Sequence, residues 1–508
     1  MWVENHVRAL SLEQKVAQCL VAIPGVGADG LPDEATASAV SAGLGILHSV
    51  TDMTASQAAR YHAAIVRIAA EAGVPPTLIS GNLESGVGYS LGATGTDFPY
   101  PRGIGIAGDE DLAYRVARQS AEEARILGYH WTFSPCTDVI ATSSDPILGV
   151  RAYGVDSRLT GVLGAAQVRG YQDGGLLATA KHFPGHGDSH VDSHLGLPRI
   201  DRSESDHEGM HMPPFVAAID AGVASIMVAH VTLPAQGIDG PASLSSVVNR
   251  EWLRRDLGYT GVIISDSLRM NAISALYPPA TAALLALQAG ADVANVKSPA
   301  AEIPEIVNVI VAAVRNGELP ETDLDEAVRR LLIARVAVGA HRASAINEAA
   351  AAAIDAPTEW VDPERPATVS VSGAHAPVLS LTGRYTVIGD SPLAHRLVEL
   401  LSQRGFDTAL LDRGATEQAI RTAVNEHVGE VIPVYTPSTA MTGQEYQNIV
   451  GSTPDASTRQ RIAAALINSP LPASSFATVS TTVITLPAVD TFGIVSDAAV
   501  HAAIDRLT

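Results

Sequence analysis

The sequence predicts an α/β protein: a (β/α)8 TIM barrel followed by a smaller three-layer α/β sandwich domain. Three observations predict it. Short Val-, Ile- and Leu-rich runs alternate with longer amphipathic stretches over the first two thirds of the chain. Eight such runs come before any change of composition, and the same rhythm restarts after an alanine- and proline-rich break. An open doubly wound sheet shares these local signals; the count of eight favours the barrel.

The expected strands span 19–23, 44–48, 76–82, 129–135, 176–182, 225–231, 261–266 and 292–296. The helical stretches 54–72, 110–127, 157–171 and 279–289 are long enough to cross the sheet. Three of them run into Gly73, Gly128 and Gly290, where a left-handed helix end is sterically cheap. The alanine-rich run 344–356 leads to Pro357, Pro363 and Pro366, which reads as a last helix and a linker. This divides the chain into a barrel at 1–343, a helix and linker at 344–365 and a second domain at 366–508. In that domain strands are expected at 385–389, 408–411 and 430–435 and helices at 392–404 and 417–426; the apolar segments 477–486 and 492–495 complete the sheet.

Composition narrows the function. The 508 residues are 46% hydrophobic, enough for more than one core. A net charge of −21 repels polyanions, so nucleic acid and anionic membrane surfaces are excluded as partners, and a small substrate is favoured. Two cysteines, Cys19 and Cys136, make no disulfide framework and read as buried apolar side chains, consistent with a reducing compartment. The first residues carry Glu4 and His6 where an export signal would place a basic patch and an apolar run, and no apolar run spans a bilayer. The expected location is the cytoplasm.

In a parallel barrel the active site lies at the C-terminal ends of the strands. The polar residues there are Asn82 after the third strand, Arg151 in the loop after the fourth, Lys181 and His182 on the fifth, His230 on the sixth, Asp266 on the seventh, and Asn295 with Lys297 on the eighth. The densest cluster is the run 181–194, with four histidines and two aspartates. By its residues alone it is a metal site, an acid/base device or a loop of hydrogen-bonded histidines. Asp192 stands two residues before His194, and a carboxylate so placed can fix one imidazole tautomer. Asp266 is the carboxylate that would face this pair, or else a cap for the next helix. His186, His190 and His230 read as loop-shaping or supporting groups, with His230 the one expected to reach the pocket and, with Asn82, to contact the sugar. Lys297 is a surface lysine or, pointing inward, a ligand for an anionic group. Glu122 and Glu123 read as a solvated helix face.

The run KHFPGHGDSHVDSHLGLP from Lys181 resembles the signature of the N-acetylglucosaminidase-type branch of glycoside hydrolase family 3, and GVIISDSLRM from Gly261 resembles its nucleophile segment. LSLEQKVAQCL from Leu10, ILGVRAYGVD from Ile147, MVAHV from Met227 and PASLSS from Pro241 add to a similarity that covers residues 10 to about 340. The resemblance implies a retaining exo-β-glycosidase that works through a covalent glycosyl-enzyme, without metal or cofactor. It places Asp266 as nucleophile, Asp192 and His194 as the acid/base dyad, and Arg151, Lys181 and His182 on the sugar hydroxyls. The implied substrate is a terminal β-linked N-acetylglucosaminide. Because a neutral imidazole does not repel an anion, inorganic phosphate is a conceivable acceptor, so a phosphorylase is the alternative within the class, beside a broader β-glucosidase. A metallohydrolase using the histidine loop and an inactive sugar-binding relative are the alternatives outside it.

One segment departs from the family. Where Asp-x-Glu-Gly-Gly-Arg is common after the third strand, this chain has Asn82-Leu83-Glu84-Ser85-Gly86-Val87. A charged acceptor has become a neutral amide, whose hydrogen bonds are roughly half as strong. The catalytic chemistry should survive this change, while sugar recognition is where it bears.

Overall fold

The computed structural model describes residues 1–92, 94–141, 148–189, 193, 196–342, 346, 348–360, 370–372, 384–388, 391–411, 430–435, 465–468, 483–486 and 500–504. Eight of its strands form the barrel: β1 (Leu20–Ile23), β2 (Ile46–His48), β3 (Leu78–Gly81), β4 (Trp131–Thr132), β5 (Thr179–Phe183), β6 (Ser225–Val228), β7 (Val262–Ser265) and β8 (Ala294–Pro299). Parallel ladders join β4-β3-β2-β1-β8 and β5-β6-β7. Single parallel bridges, Trp131 to Leu177 and Ile264 to Val293, link the two groups. Each strand is therefore bonded to its sequence neighbour and the eighth to the first, as the βα rhythm requires.

The ladders are shorter than the apolar runs that announce them. Past Thr132 the chain keeps isolated bonds, such as Phe133 N–H to the Gly81 carbonyl (2.8 Å) and Thr137 N–H to the Lys181 carbonyl (2.7 Å), because tilted barrel strands diverge at the rim. The covering helices include Ala55–Ala72, Glu110–Ile126, Ser157–Asp173 and Pro279–Gln288. Thr54 and Gln57 close the first with a capping box, Asp109 and Asp156 cap the next two, and Gly73 (φ 67°) ends the first in the left-handed conformation.

The two rims of the barrel differ in kind. At the N-terminal rim Asp292 accepts from Arg254 (2.5 Å), Arg330 (2.8 Å) and the Ile263 N–H (2.8 Å), while buried Arg335 donates to the carbonyls of Pro76 (2.8 Å) and Gly45 (2.9 Å). These bonds clip the last helix under the strands. The C-terminal rim instead gathers polar groups around a cavity.

After the barrel, helix Glu348–Ala352 packs against Ala55–Ala72, and strand Pro357–Glu359 pairs with Gly95–Asp97. Trp360 is buried beside Phe98, 6.4 Å between ring centroids. Part of the stretch read as linker thus lies on the barrel. A second sheet has the order Ser370–Ser372, Val483–Leu486, Ala465–Asn468, Glu430–Tyr435, Arg384–Ile388, Asp407–Leu411, all parallel except the first pair. Helix Pro392–Gln403 buries Leu393, Leu397, Leu400 and Leu401 in this unit's own core. The expected helix 417–426 and segment 492–495 lie outside the described residues. No described helix is long and apolar enough to cross a membrane.

Candidate active site

Two irregularities in the ladders aim the chemistry inward. In a regular strand Lys181 and His182 would point to opposite faces. Here Lys181 pairs with Met227 and Phe183 with Val228, so His182 is one residue too many on β5, and this bulge turns both side chains into the cavity. On β8, Leu20 faces Ala294 but Ala22 faces Ser298, an excess of two residues on the outer strand. Lys297 takes φ 43° within it. A non-glycine residue in that region costs about 1–2 kcal/mol, and the distortion brings Asn295 and Lys297 to the same cavity.

That cavity, about 250 Å³, is lined by Asn82, Arg151, Lys181, His182, Asp266 and Lys297, with Phe133, Met227 and Met270 as its apolar walls. Its size is just below the roughly 300–1,000 Å³ usual for small-molecule sites and suits one sugar ring more than a polymer. The surface-lysine reading of Lys297 is therefore wrong: the side chain faces the pocket.

Glu84 is the anchor of the polar side. Its Oε1 accepts from Lys181 Nζ (2.7 Å) and Arg151 Nη2 (2.9 Å), and all three side chains are buried. Burial alone would raise this carboxyl, but the two cations hold it down at about 2. The shared anion fixes where both cations sit in the cavity wall.

His182 is fixed by Asp138. The Nδ1 atom lies 2.6 Å from Asp138 Oδ2, which also accepts the His182 backbone N–H (3.0 Å); Oδ1 accepts the His186 N–H (2.7 Å). Burial raises the Asp138 carboxyl and His182 brings it down to about 2, so it is an anion. Burial likewise lowers the imidazole, with Asp138 opposing. The neutral ring then donates Nδ1–H to Asp138 and presents Nε2 as an acceptor. The cluster Cys136, Asp138 and His182 has the donor atoms of a metal site. Its geometry does not fit one: the Cys136 thiol, pushed well up by burial, donates to Asp138 (3.3 Å), and Asp138 is saturated by N–H donors. Asp138→Asn should lower kcat by about 100-fold, the effect of a misplaced catalytic-site group. Steady-state kinetics beside an unchanged circular dichroism spectrum would check this.

Asp266 ends β7. Its Oδ1 accepts the Ser267 N–H (2.6 Å), and among the described residues it forms no ion pair. Burial would raise the carboxyl, but His182, His230, the Ser267 N–H and Lys297 hold it well below the usual range. It is a half-buried anion, unshielded by a counter-ion in contact, facing the pocket. His230 does not line the cavity, which corrects its assignment to the sugar: Nδ1 meets Ser243 Oγ (2.7 Å) and Nε2–H donates to the Ser267 carbonyl (2.9 Å). Its ring is fully used in holding the turn that carries Asp266.

Asp192, His194 and His190 lie outside the described residues. Ser193 between the dyad residues is described; it lines the cavity, its Oγ meets His186 Nε2 (3.2 Å), and its carbonyl accepts the Ala272 N–H (3.2 Å). The glycines of the preceding loop stand where a side chain would not fit. Gly185 has φ 120°, and a Cβ on Gly187 would sit 1.9 Å from the Val139 carbonyl oxygen.

Sequence reasoning did not single out Glu84 or Asp138. Each follows the end of an apolar run, which is the signal that could have found them. The solvated-face reading of Glu123 is also corrected: it accepts the Thr96 N–H (3.0 Å), whereas exposed Glu122 pairs with Arg118 (3.0 Å).

The model of the glycosyl hydrolase family 3 N-terminal domain matches residues 11–334. A beta-N-acetylglucosaminidase/beta-glucosidase of Cellulomonas fimi is 32% identical over 326 residues, 62% of this chain and 56% of that protein. The chain thus spans just over half of that relative's length. The beta-hexosaminidase LpqI of Mycobacterium tuberculosis is 32% identical over 340 residues, 63% of this chain and 82% of its own. Among solved structures, a glycoside hydrolase family 3 beta-N-acetylglucosaminidase from Paenibacillus sp. str. FPU-7 is similar, with TM-score 0.84 and 28% identity over 98% of this chain and 97% of that one.

Proposed function

Because this chain belongs to glycosyl hydrolase family 3, we propose that it is a retaining exo-β-glycosidase that releases terminal β-linked N-acetylglucosamine. The observation that carries the reading is Asp266: an ionised, half-buried carboxylate at a strand end, without a contacting cation, facing the groups that would hold a sugar. A carboxylate kept anionic but not neutralised is what attack on an anomeric carbon needs.

In the first step Asp266 attacks C1 while His194, oriented by Asp192, protonates the departing oxygen. In the second, His194 takes a proton from water, the water oxygen bonds to C1, and Asp266 leaves as a carboxylate. Lys181 and Arg151 donate to ring hydroxyls, His182 accepts from one through Nε2, and the Asn82 amide takes the place of a charged acceptor. The names of the Cellulomonas fimi and Paenibacillus relatives support the acetamido sugar as substrate.

The test compares nitrophenol release from β-N-acetylglucosaminide and β-glucoside with and without chelator. Preference for the acetamido sugar with no loss to chelator supports the reading. Turnover of neither would remove it, and activity lost to chelator would favour a metallohydrolase.

A further inference from the structure

Lys297 is a cation deep in the cavity wall that the proposed chemistry leaves without work. The other two deep cations, Lys181 and Arg151, share Glu84. Among the described residues Lys297 has neither a hydrogen bond nor an ion pair, although it sits in the cavity wall. The backbone goes out of its way to place it there, through a two-residue excess on β8 and a left-handed φ of 43° on a lysine. Such outliers persist where the surroundings over-determine them, at ligand sites more than elsewhere. A half-buried ammonium that lines a pocket and has no partner of its own is a donor for an anion that enters it.

The protein does not supply that anion. Asp266 is near enough to act on Lys297 through space but makes no contact with it, and its charge vanishes whenever it carries a glycosyl ester. At the end of β3 the chain places the neutral Asn82, so no carboxylate there repels an incoming anion. Arg269 adds a further cation at the mouth, loosely paired with Glu302 at 3.5 Å.

We propose that Lys297 is a specificity-determining anion subsite of this pocket, one that takes an oxyanion, either a carboxylate or phosphate carried by the sugar substrate or a free inorganic oxyanion. The proposal rests on the glycosidase reading for the identity of the pocket, but not for the binding itself.

Calorimetric titration of the full chain tests it, with glucuronate, inorganic phosphate and N-acetylglucosamine as separate ligands, for wild type, Lys297→Met and Lys297→Arg. At least one anion should bind the wild type and Lys297→Arg, and lose at least about tenfold in affinity in Lys297→Met, the equivalent of one charge-assisted hydrogen bond. Binding of glucuronate alone assigns the anion to the sugar; binding of phosphate assigns it to a free oxyanion. If neither anion binds the wild type, or Lys297→Met binds them equally well, the subsite is overturned, and binding of N-acetylglucosamine in the same series leaves the glycosidase reading standing. Anion binding without any binding of the neutral sugar supports the subsite and counts against that reading.

Discussion

Asp266→Asn is expected to lower kcat for glycoside hydrolysis by about 10⁴-fold or more, with the protein fully folded. The amide keeps the shape and the Ser267 N–H contact, since its oxygen can still accept at the Oδ1 position. What it loses is the negative charge that bonds to C1. KM should change far less than kcat, because the hydroxyl contacts come from Arg151, Lys181, His182 and Asn82. Thermal stability should fall modestly and not rise, because the surroundings hold the folded carboxyl below its ordinary range and the fold therefore favours the ionised form that the amide removes. Steady-state kinetics and a thermal melt on the same preparation check both halves. A loss below tenfold would place the nucleophile elsewhere.

Glu84→Gln is expected to cost about 3–5 kcal/mol of stability, the cost of breaking a buried ion pair from one side. Lys181 and Arg151 would remain in the wall, buried and facing each other without their shared anion. Activity should fall with the same substitution, because both donors lose their aim. The deficit depends on pH in a defined direction. The folded carboxyl sits at about 2 against an ordinary 4.5, so its contribution is complete above about 4.5 and is lost as pH falls toward 2. The gap in melting temperature between wild type and Glu84→Gln should therefore be largest near neutrality and close across that acid window. A gap that stays constant down to pH 3 would contradict the ionic account of this triad.

The barrel was legible because each strand is an apolar run and each long helix has its own boundary chemistry, as at Thr54 and Gly73. Helix Glu204–Asp220 was less so: Pro213 and Pro214 lie inside it and break the usual signal. At the site, Asp266, Lys181 and Arg151 could be found from strand-end position and motif. The Glu84 triad could not be assembled, since its partners are 67 and 97 residues away in sequence and meet only when the barrel closes. His230 was misplaced for a related reason. Strand-end position sets which rim a residue occupies, but the Ser243 hydroxyl and the Ser267 carbonyl decide where its ring goes. The inward course of Lys297 depends on a bulge, and an extra residue in a strand leaves no mark in hydrophobic periodicity.

The most direct measurement is to trap the glycosyl-enzyme. The full chain is incubated with a fluorosugar donor whose covalent intermediate hydrolyses slowly, then digested and sequenced by mass spectrometry. The account predicts one added glycosyl mass on the peptide that contains Asp266, absent from Asp266→Asn. A label on another carboxylate, or turnover with no trapped intermediate at all, would contradict it.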